Sequence, residues 1–287
     1  MATASKIVKI PICLSFPRFV ARRCSPKKIN FQDWSMTDRQ ERFRWWSQSQ
    51  IRSARILLVG AGGLGSNQGK IFLQMGVGSV DFIDPDVAED SNRNRQLFTA
   101  ADVGKPKAHQ VLINLEPYAT YRTVLRGYYM TFEQWASDRR RPRYHVICCG
   151  VDSLPTMVAV AKYGLATNTT VVYTNVSEDG ECSRIFIQRP GPDQACFGCY
   201  RPSVFVPVKD ARRPCAPVPA IADILHVAVG LAARATVGEI LGVPIGDYNC
   251  RDISFSGIDL VKTVNQRPGC PLCSTRSDVA HVKPPNG

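Results

Sequence analysis

The stretch R-I-L-L-V-G-A-G-G-L-G-S, residues 55–66, decides the fold of this 287-residue chain. An apolar strand is predicted over residues 56–59, and a helical pattern follows from about residue 64. Glycines let the backbone approach a phosphate closely, and a helix N-terminus offers unpaired N–H groups to it. The pattern therefore predicts a nucleotide site on an α/β domain. The glycine-rich turn between strand and helix contains Gly60, Gly62, Gly63 and Gly65.

A second predicted strand, over residues 79–83, ends at Asp84. Asp84 follows Gly60 by 24 residues, which is the usual distance to an acid that binds a ribose. A NAD(P)-binding oxidoreductase begins in the same way and is an alternative that rests on the glycine loop alone. The residues that follow argue against it, because several cations suit a triphosphate whose phosphoryl groups react. These cations are Arg93, Arg95, Lys105 and Lys107.

Composition favours one large domain, with or without a small appendage. The chain is 44% hydrophobic, which is enough for a full core, and no uninterrupted apolar run reaches the roughly 20 residues of a membrane span. We therefore expect a soluble protein without a membrane partner. Residues 1–32 carry seven of the 36 basic residues and no acidic residue, so the net charge of the remaining chain is only +5. This charge does not imply binding of nucleic acid. Residues 1–35 are predicted to be a flexible leader, with a transit peptide or a nucleic-acid arm as the alternatives. Residues 275–287 are predicted to be a disordered tail.

Other elements follow from apolar periodicity and turn residues. A helix is predicted over 37–51 with a capping box from Thr37 to Gln40, and another over 105–115. A short buried strand over 145–149 places Asp152 just beyond its carboxyl end, where open α/β sheets bind ligands. The remaining predictions are strands over 170–174 and 184–188, a long loop over 189–219, a helix over 221–241 and an antiparallel strand over 253–264.

Eleven cysteines include two C-x-x-C pairs, Cys196 with Cys199 and Cys270 with Cys273. Four thiolates suit a tetrahedral Zn²⁺ ion, and four protein ligands would leave no open position for catalysis. The 70 residues between the pairs exceed ordinary zinc-ribbon spacing, so a redox dithiol is an alternative. A chain this long is no small disulfide scaffold, and we expect a reducing, cytoplasmic location.

The motifs around the glycine loop resemble those of the ubiquitin-activating enzyme superfamily. G-x-G-G-L-G, D-x-D, S-N-x-x-R-Q and V-G-x-P-K stand here in order, as in the ThiF/MoeB-type adenylyltransferases of molybdopterin and thiazole biosynthesis. The resemblance covers roughly residues 38–273. It implies a doubly wound, Rossmann-like, mostly parallel sheet that is extended by antiparallel strands and holds a structural zinc site.

The resemblance also implies a reaction. ATP and Mg²⁺ activate the C-terminal carboxylate of a small ubiquitin-fold carrier protein, usually ending in Gly-Gly, and pyrophosphate is released. Cations are needed because a carboxylate oxygen must approach an anionic α-phosphate. Arg95 and Lys107 are expected to bind the phosphates, and Asp152 is expected to coordinate Mg²⁺. The other nucleotide-binding residues are expected to be the glycines of the loop, Asp84 on the ribose, Asp86 beside it, Asn92 and Gln96.

Two further roles come from the resemblance. An arginine near the start of the fold reaches the partner's site in a homodimer, and Arg39 is the best match, with Arg42 or Arg44 as substitutes. Cys215, which follows two arginines in R-R-P-C, matches a cysteine that forms a thioester or persulfide with the activated carrier.

Several alternatives to this activity remain. The acceptor could be a ribosomal peptide or a tRNA-borne carboxylate, and the chain could be a silent half of a heterodimer. Retention of the phosphate-binding residues speaks against a silent half. A sulfur donor or a conjugating enzyme is expected to be a separate protein.

Overall fold

The backbone of the protein is organised around one nine-stranded sheet. The computed structural model describes residues 13–14, 36–138, 140–205, 221–243 and 245–273. In chain order the strands are β1 (Cys13–Leu14), β2 (Arg55–Val59), β3 (Ser79–Ile83), β4 (Val124–Tyr128), β5 (Val146–Cys149), β6 (Thr170–Val176), β7 (Cys182–Gln188), β8 (Cys250–Ser254) and β9 (Asp259–Lys262).

The strand order across the sheet is β1-β4-β3-β2-β5-β6-β7-β8-β9. The five central strands from β4 to β6 run parallel, with Leu57 of β2 opposite Asp81 of β3 and Ile147 of β5. β7, β8 and β9 continue the sheet in antiparallel fashion, and β1 adds an antiparallel pair at the other edge. This confirms the predicted parallel sheet with an antiparallel extension.

Helices cover both faces of the sheet, as a doubly wound fold requires. Successive strand residues point to opposite faces, so Ile56 and Leu58 enter one core while Leu57 and Val59 enter the other. The helices are α1 (Asp38–Glu41), α2 (Gln48–Ser53), α3 (Gly63–Gln74), α4 (Lys107–Leu115), α5 (Phe132–Ala136), α6 (Leu154–Ala166), α7 (Phe197–Tyr200) and α8 (Ala222–Leu241).

α8 is a core helix of this fold. By length and composition it could cross a membrane, but 56% of its apolar stretch is buried inside the domain. It packs on the face that also carries α2 and α3, and Ala232 and Val237 belong to that core. Core helices of globular domains meet the same criterion of length and hydropathy.

Three predicted elements are wrong in detail. The helix over 37–51 is two short helices, because the backbone is extended at Ser47, with φ −130 and ψ 100. The buried side chain of Gln48 accepts a hydrogen bond from Gln40 and donates one to the Met75 carbonyl. Thr37 bonds Glu41 and makes no capping bond. The strand over 253–264 is the β8–β9 hairpin, which turns at Gly257 with φ +91. The loop over 189–219 contains α7 and a 3₁₀ turn at Pro202–Phe205.

β4 and α6 were not predicted from the sequence. The predicted leader, except for β1, and the predicted tail lie outside the described residues. Cys215 also lies outside them.

Candidate nucleotide site and cysteine cluster

The glycine loop lies where the strand order reverses. The chain passes from β2 outward to β3 and β4, and then returns to place β5 on the other side of β2. The reversal falls at the carboxyl ends of β2 and β5, and such a point is the usual ligand site of open α/β sheets. A Cβ built on Gly60 would lie 3.1 Å from the Val151 side chain, so the loops after β2 and β5 meet. Asp152, the next residue, is exposed at this edge.

Two glycines are required by the backbone of this loop. Gly60 has φ +97, in the left-handed region that other residues rarely adopt. A Cβ built on Gly65 would lie 1.9 Å from the Gly60 carbonyl oxygen, so no other residue fits there. α3 begins at Gly63, and its first-turn N–H groups lack partners within the helix. These N–H groups and the helix dipole form a site for an anion.

The segment with Arg95 and Gln96 is fixed against the start of α3. Asn67 donates hydrogen bonds of 2.7 Å to the Gly63 carbonyl and 3.0 Å to the Arg95 carbonyl. A Cβ built on Gly63 would lie 3.4 Å from Cγ of Arg95, and one on Gly62 would lie 3.8 Å from Nε2 of Gln96. Arg95 and Gln96 are thus brought to the glycine loop. Asn67 was missed by the sequence analysis because its role depends on a contact across 28 residues.

Asn92 and Gln96 differ in how their polar atoms are satisfied. Asn92 is buried and accepts a 3.1 Å bond from the Glu89 backbone N–H, so it holds the turn that precedes Arg95. The Oε1 atom of Gln96 is buried and has no hydrogen-bond partner within the described part of the chain. A buried acceptor without a partner is costly, so a donor from a bound ligand would stabilise it.

Asp84 connects the end of β3 to the glycine loop. Its two carboxylate oxygens accept bonds of 2.7 Å from the Ala61 N–H and 2.8 Å from the Asp86 N–H. Burial raises the pKa of the Asp84 carboxyl, although these bonds and the charge of Lys107 act in the opposite direction. Each carboxylate oxygen has a second lone pair, so Asp84 can also accept a ribose hydroxyl.

Lys107 lies at the start of α4 beside Asp86. Its Nζ atom is 3.1 Å from Oδ2 of Asp86, and its side chain is only 11% exposed. Asp86 is 64% exposed and can exchange this partner for solvent at little cost. Lys107 is therefore a cation that can turn to a phosphate.

Arg39 does not reach the nucleotide site of its own chain. Its neighbour Gln40 bonds the Met75 carbonyl at the C-terminal end of α3, whereas the glycine loop is at the N-terminal end. The 12 residues of α3 separate these ends by about 18 Å. Arg42 forms an exposed ion pair with Asp38.

The two C-x-x-C pairs meet at the base of the antiparallel extension. All four sulfur atoms lie within 4.8 Å of one another, and all four cysteines are buried. The recorded Sγ···Sγ distances are 3.8 Å for Cys196 and Cys199, 3.6 Å for Cys196 and Cys270, and 3.4 Å for Cys199 and Cys273. Tetrahedral Zn²⁺ with bonds of about 2.3 Å places its sulfurs about 3.8 Å apart, so the cluster could hold this ion.

Two neighbouring N–H donors contact sulfur atoms of this cluster. The Arg267 N–H lies 3.2 Å from Sγ of Cys199, and the Gln266 amide lies 3.6 Å from Sγ of Cys273. Burial raises the pKa of Cys273 to about 11, so that thiol stays protonated unless a cation is bound. Burial acts on Cys270 too, but backbone N–H and thiol donors outweigh it and lower its pKa to about 7.

The fold is a doubly wound sheet with a glycine loop where the strand order reverses, which defines a nucleotide-binding domain. The four-cysteine cluster adds a candidate metal site. The ThiF family pattern matches residues 27–271, and the chain belongs to the ThiF family.

Two relatives of this chain are named as adenylyltransferases. A sulfur carrier protein adenylyltransferase of Thermus thermophilus is 30% identical over 244 residues, covering 79% of this chain and 84% of that protein. The adenylyltransferase and sulfurtransferase UBA4 of Eremothecium gossypii is 28% identical over 267 residues, covering 82% of this chain. The chain spans only 55% of that UBA4. By its family and these relatives, the chain is an adenylyltransferase.

The fold is also shared with solved structures. E. coli MccB, in a crystal with MccA-N7isoASN, has a TM-score of 0.67 at 19% identity, covering 79% of this chain and 69% of that chain. This likeness concerns the fold.

Proposed function

We propose that this enzyme uses ATP and Mg²⁺ to adenylate the C-terminal carboxylate of a small ubiquitin-fold carrier protein that ends in Gly-Gly. The observation that carries the proposal is the convergence of Arg95, Gln96 and the first turn of α3 at the strand reversal. The relative from Thermus thermophilus, named for a sulfur carrier protein, supports the choice of acceptor.

The chemical step transfers AMP to the carboxylate. A carboxylate oxygen attacks the α-phosphorus, a C–O–P linkage forms, the bond from the α-phosphorus to the bridging oxygen of the β-phosphate breaks, and pyrophosphate leaves with that oxygen. The reacting groups are all anionic, so fixed cations and N–H donors lower the barrier. Arg95, Lys107 and the first turn of α3 provide these groups, while Asp84 orients the ribose.

Asp152 is the residue that would hold Mg²⁺. Its carboxylate is exposed at the strand reversal and forms no hydrogen bond with another described residue. Mg²⁺ commonly binds through one or two carboxylates together with substrate phosphates, and here it would neutralise charge on the phosphates. The four-cysteine cluster would hold a structural Zn²⁺, because four protein ligands leave no open position.

The test is carrier-dependent ATP–pyrophosphate exchange with candidate carriers and with carriers that lack the terminal glycines. We expect Arg95→Ala and Lys107→Ala each to lower exchange on the order of 100-fold or more, because each removes a group that stabilises transition-state charge. Arg140→Ala, which removes a highly exposed cation far from the loop, is the matched control and should not change exchange. Full exchange in both site variants would reject the proposal.

Later steps are proposed to involve Cys215 and a homodimer. The Cys215 thiolate would attack the carbonyl of the carrier adenylate, with AMP as the leaving group, and the thioester formed would pass to a conjugating enzyme. In the sulfur-transfer variant, a donor would first transfer sulfane sulfur to Cys215, and the resulting persulfide would attack the same carbonyl, again with AMP leaving. Cys215→Ser should then keep exchange but lose a reducible carrier adduct on non-reducing gels; an undiminished adduct would exclude this role.

The cysteines of the described residues are free thiols, which supports a reducing, cytoplasmic location.

A further inference from the structure

The first turn of α8 lies against the glycine loop, although 162 residues separate Leu225 from Gly63. A Cβ built on Gly63 would lie 2.5 Å from Cδ1 of Leu225 and 3.4 Å from Cγ of Arg95. Leu225 is only 4% exposed. Its side chain therefore fills the space that Gly63 leaves open, next to the stem of the phosphate-binding arginine.

Contacts with β7 and with the next turn of α8 fix the position of Leu225. The buried hydroxyl of Ser183 on β7 donates a 2.7 Å hydrogen bond to the carbonyl of Ile224, the residue before Leu225. Ile224 is fully buried, and Ala228 and Val229 on the next turn are buried as well. A close-packed surrounding of this kind leaves a side chain little freedom to move aside.

From this geometry we infer that Leu225 is a positioning residue for the nucleotide site. It limits the space beside Gly63, and so it sets where the first turn of α3 and the stem of Arg95 can lie when phosphate binds. The inference rests on the nucleotide site proposed above and adds a residue from α8 to it. It assigns Leu225 no contact with the reacting atoms.

The test is a double-substitution cycle read by calorimetric titration with MgATP, with the melting temperature measured in parallel. Gly63→Ala should weaken binding of MgATP about 10-fold or more, because the new methyl group meets Leu225 in a packed environment. Leu225→Ala alone should weaken binding about threefold or more, because the first turn of α3 and the stem of Arg95 lose the side chain that limits their positions. In the Gly63→Ala background, Leu225→Ala should instead restore the affinity at least threefold, since the space for the new methyl group is then open. Leu225→Met alone should stay close to the wild type, because its volume is nearly conserved.

Val237→Ala is the matched control, because Val237 is equally buried on α8 but lies near its far end. It should lower the melting temperature without restoring MgATP binding in the Gly63→Ala background. Equal affinities of the Gly63→Ala protein and its Leu225→Ala double variant would overturn the inference, as would rescue by Val237→Ala. If the wild type does not bind MgATP, the proposed function is rejected. The melting temperatures of the same variants would then test the contact between Leu225 and residue 63 independently.

Discussion

Asp84 shows how one side chain can serve both the fold and the proposed nucleotide site. Its two oxygens accept backbone N–H groups from the glycine loop and from Asp86, so the loop after β2 is fastened to the end of β3. The sequence analysis placed Asp84 at the ribose from its spacing alone. It could not show the bond to Ala61, because hydrogen bonds between loops follow from tertiary structure. Asn67 and Leu225 were missed for the same reason.

Asp84→Asn should destabilise the protein by about 1–3 kcal/mol, because an amide N–H₂ would replace one acceptor and face a buried backbone N–H. MgATP affinity should fall as well, since the glycine loop loses its fastening. Urea unfolding and calorimetric titration measure the two effects. Asp86→Asn is the control, because the Asp86 side chain is largely exposed and should change the unfolding free energy little. Unchanged unfolding of Asp84→Asn would contradict the assigned role.

The segment between Arg95 and Lys107 is fixed to α4 by Asp102. Its Oδ2 atom accepts bonds of 2.7 Å from the Thr99 N–H and 3.0 Å from the Asn114 amide. Asp102 is buried, and although burial raises the pKa of its carboxyl, these donors and Lys105 outweigh burial and hold the pKa below 3.8. The segment between the two cations of the proposed site is therefore held by an acid that is bonded to neither Arg95 nor Lys107.

Asp102→Ala should lower the unfolding free energy by about 1–3 kcal/mol at pH 7, because buried donors lose their acceptor. Since the pKa is lowered in the folded protein, the unfolded chain takes up the proton first. The stabilisation is present above pH 3.8 and is lost as the pH falls through the folded pKa. Urea unfolding of the wild type and the variant from pH 7 to pH 3 should show their difference shrinking in acid; a constant difference would contradict the assignment.

Elements were predictable where one local signal dominated. The strand predicted over 56–59 is uniformly apolar, and the strand predicted over 79–83 is bounded by Gly78 and Asp84. The structure confirms both strands. β4 was missed because Arg126 and Gly127 interrupt its pattern; Gly127 is there because a Cβ would lie 1.9 Å from the Ala108 carbonyl. The β8–β9 hairpin was predicted as one strand because alternation continues through its turn. The bounds of β4 and of the β8–β9 hairpin depend on tertiary contacts, so local periodicity could not predict them.

The four-cysteine cluster links distant parts of the molecule. Cys196 lies just before α7, whereas Cys270 is 74 residues later, after β9. A metal bound here would close a long loop and fix the segment with Cys270 and Cys273 to the segment with Cys196 and Cys199. The residue types were predictable from the two C-x-x-C motifs, but their convergence followed only from the path of β7, α8 and β8.

Metal analysis should find about one zinc per chain, and its removal by a strong chelator should lower the melting temperature, because metal binding is coupled to folding. Cys196→Ser and Cys270→Ser should each have the same effect. Cys182→Ser, at a half-buried cysteine outside the cluster, should leave zinc content and melting temperature nearly unchanged. A folded, metal-free wild type with an unaltered melting temperature would contradict the zinc proposal.

The position of Arg39 allows a test of the homodimer. Arg39 lies at the far end of α3 from its own glycine loop, so it can act only in the site of another copy. Arg39→Ala and Lys107→Ala homodimers should each be inactive in ATP–pyrophosphate exchange. Mixing equal amounts, with subunit exchange, should restore about a quarter of the wild-type sites, because half of the dimers are mixed and each has one intact site.

The control for this mixing experiment is a pair of variants on the same site. Arg95→Ala mixed with Lys107→Ala should recover nothing, since both residues serve the glycine loop of their own chain. Recovery in the first mixture and none in the second would support an arginine that acts between subunits. Failure of both mixtures, with subunit exchange verified, would exclude Arg39 from that role and leave Arg42 and Arg44, the other exposed arginines among the described residues before α2, as the next to test.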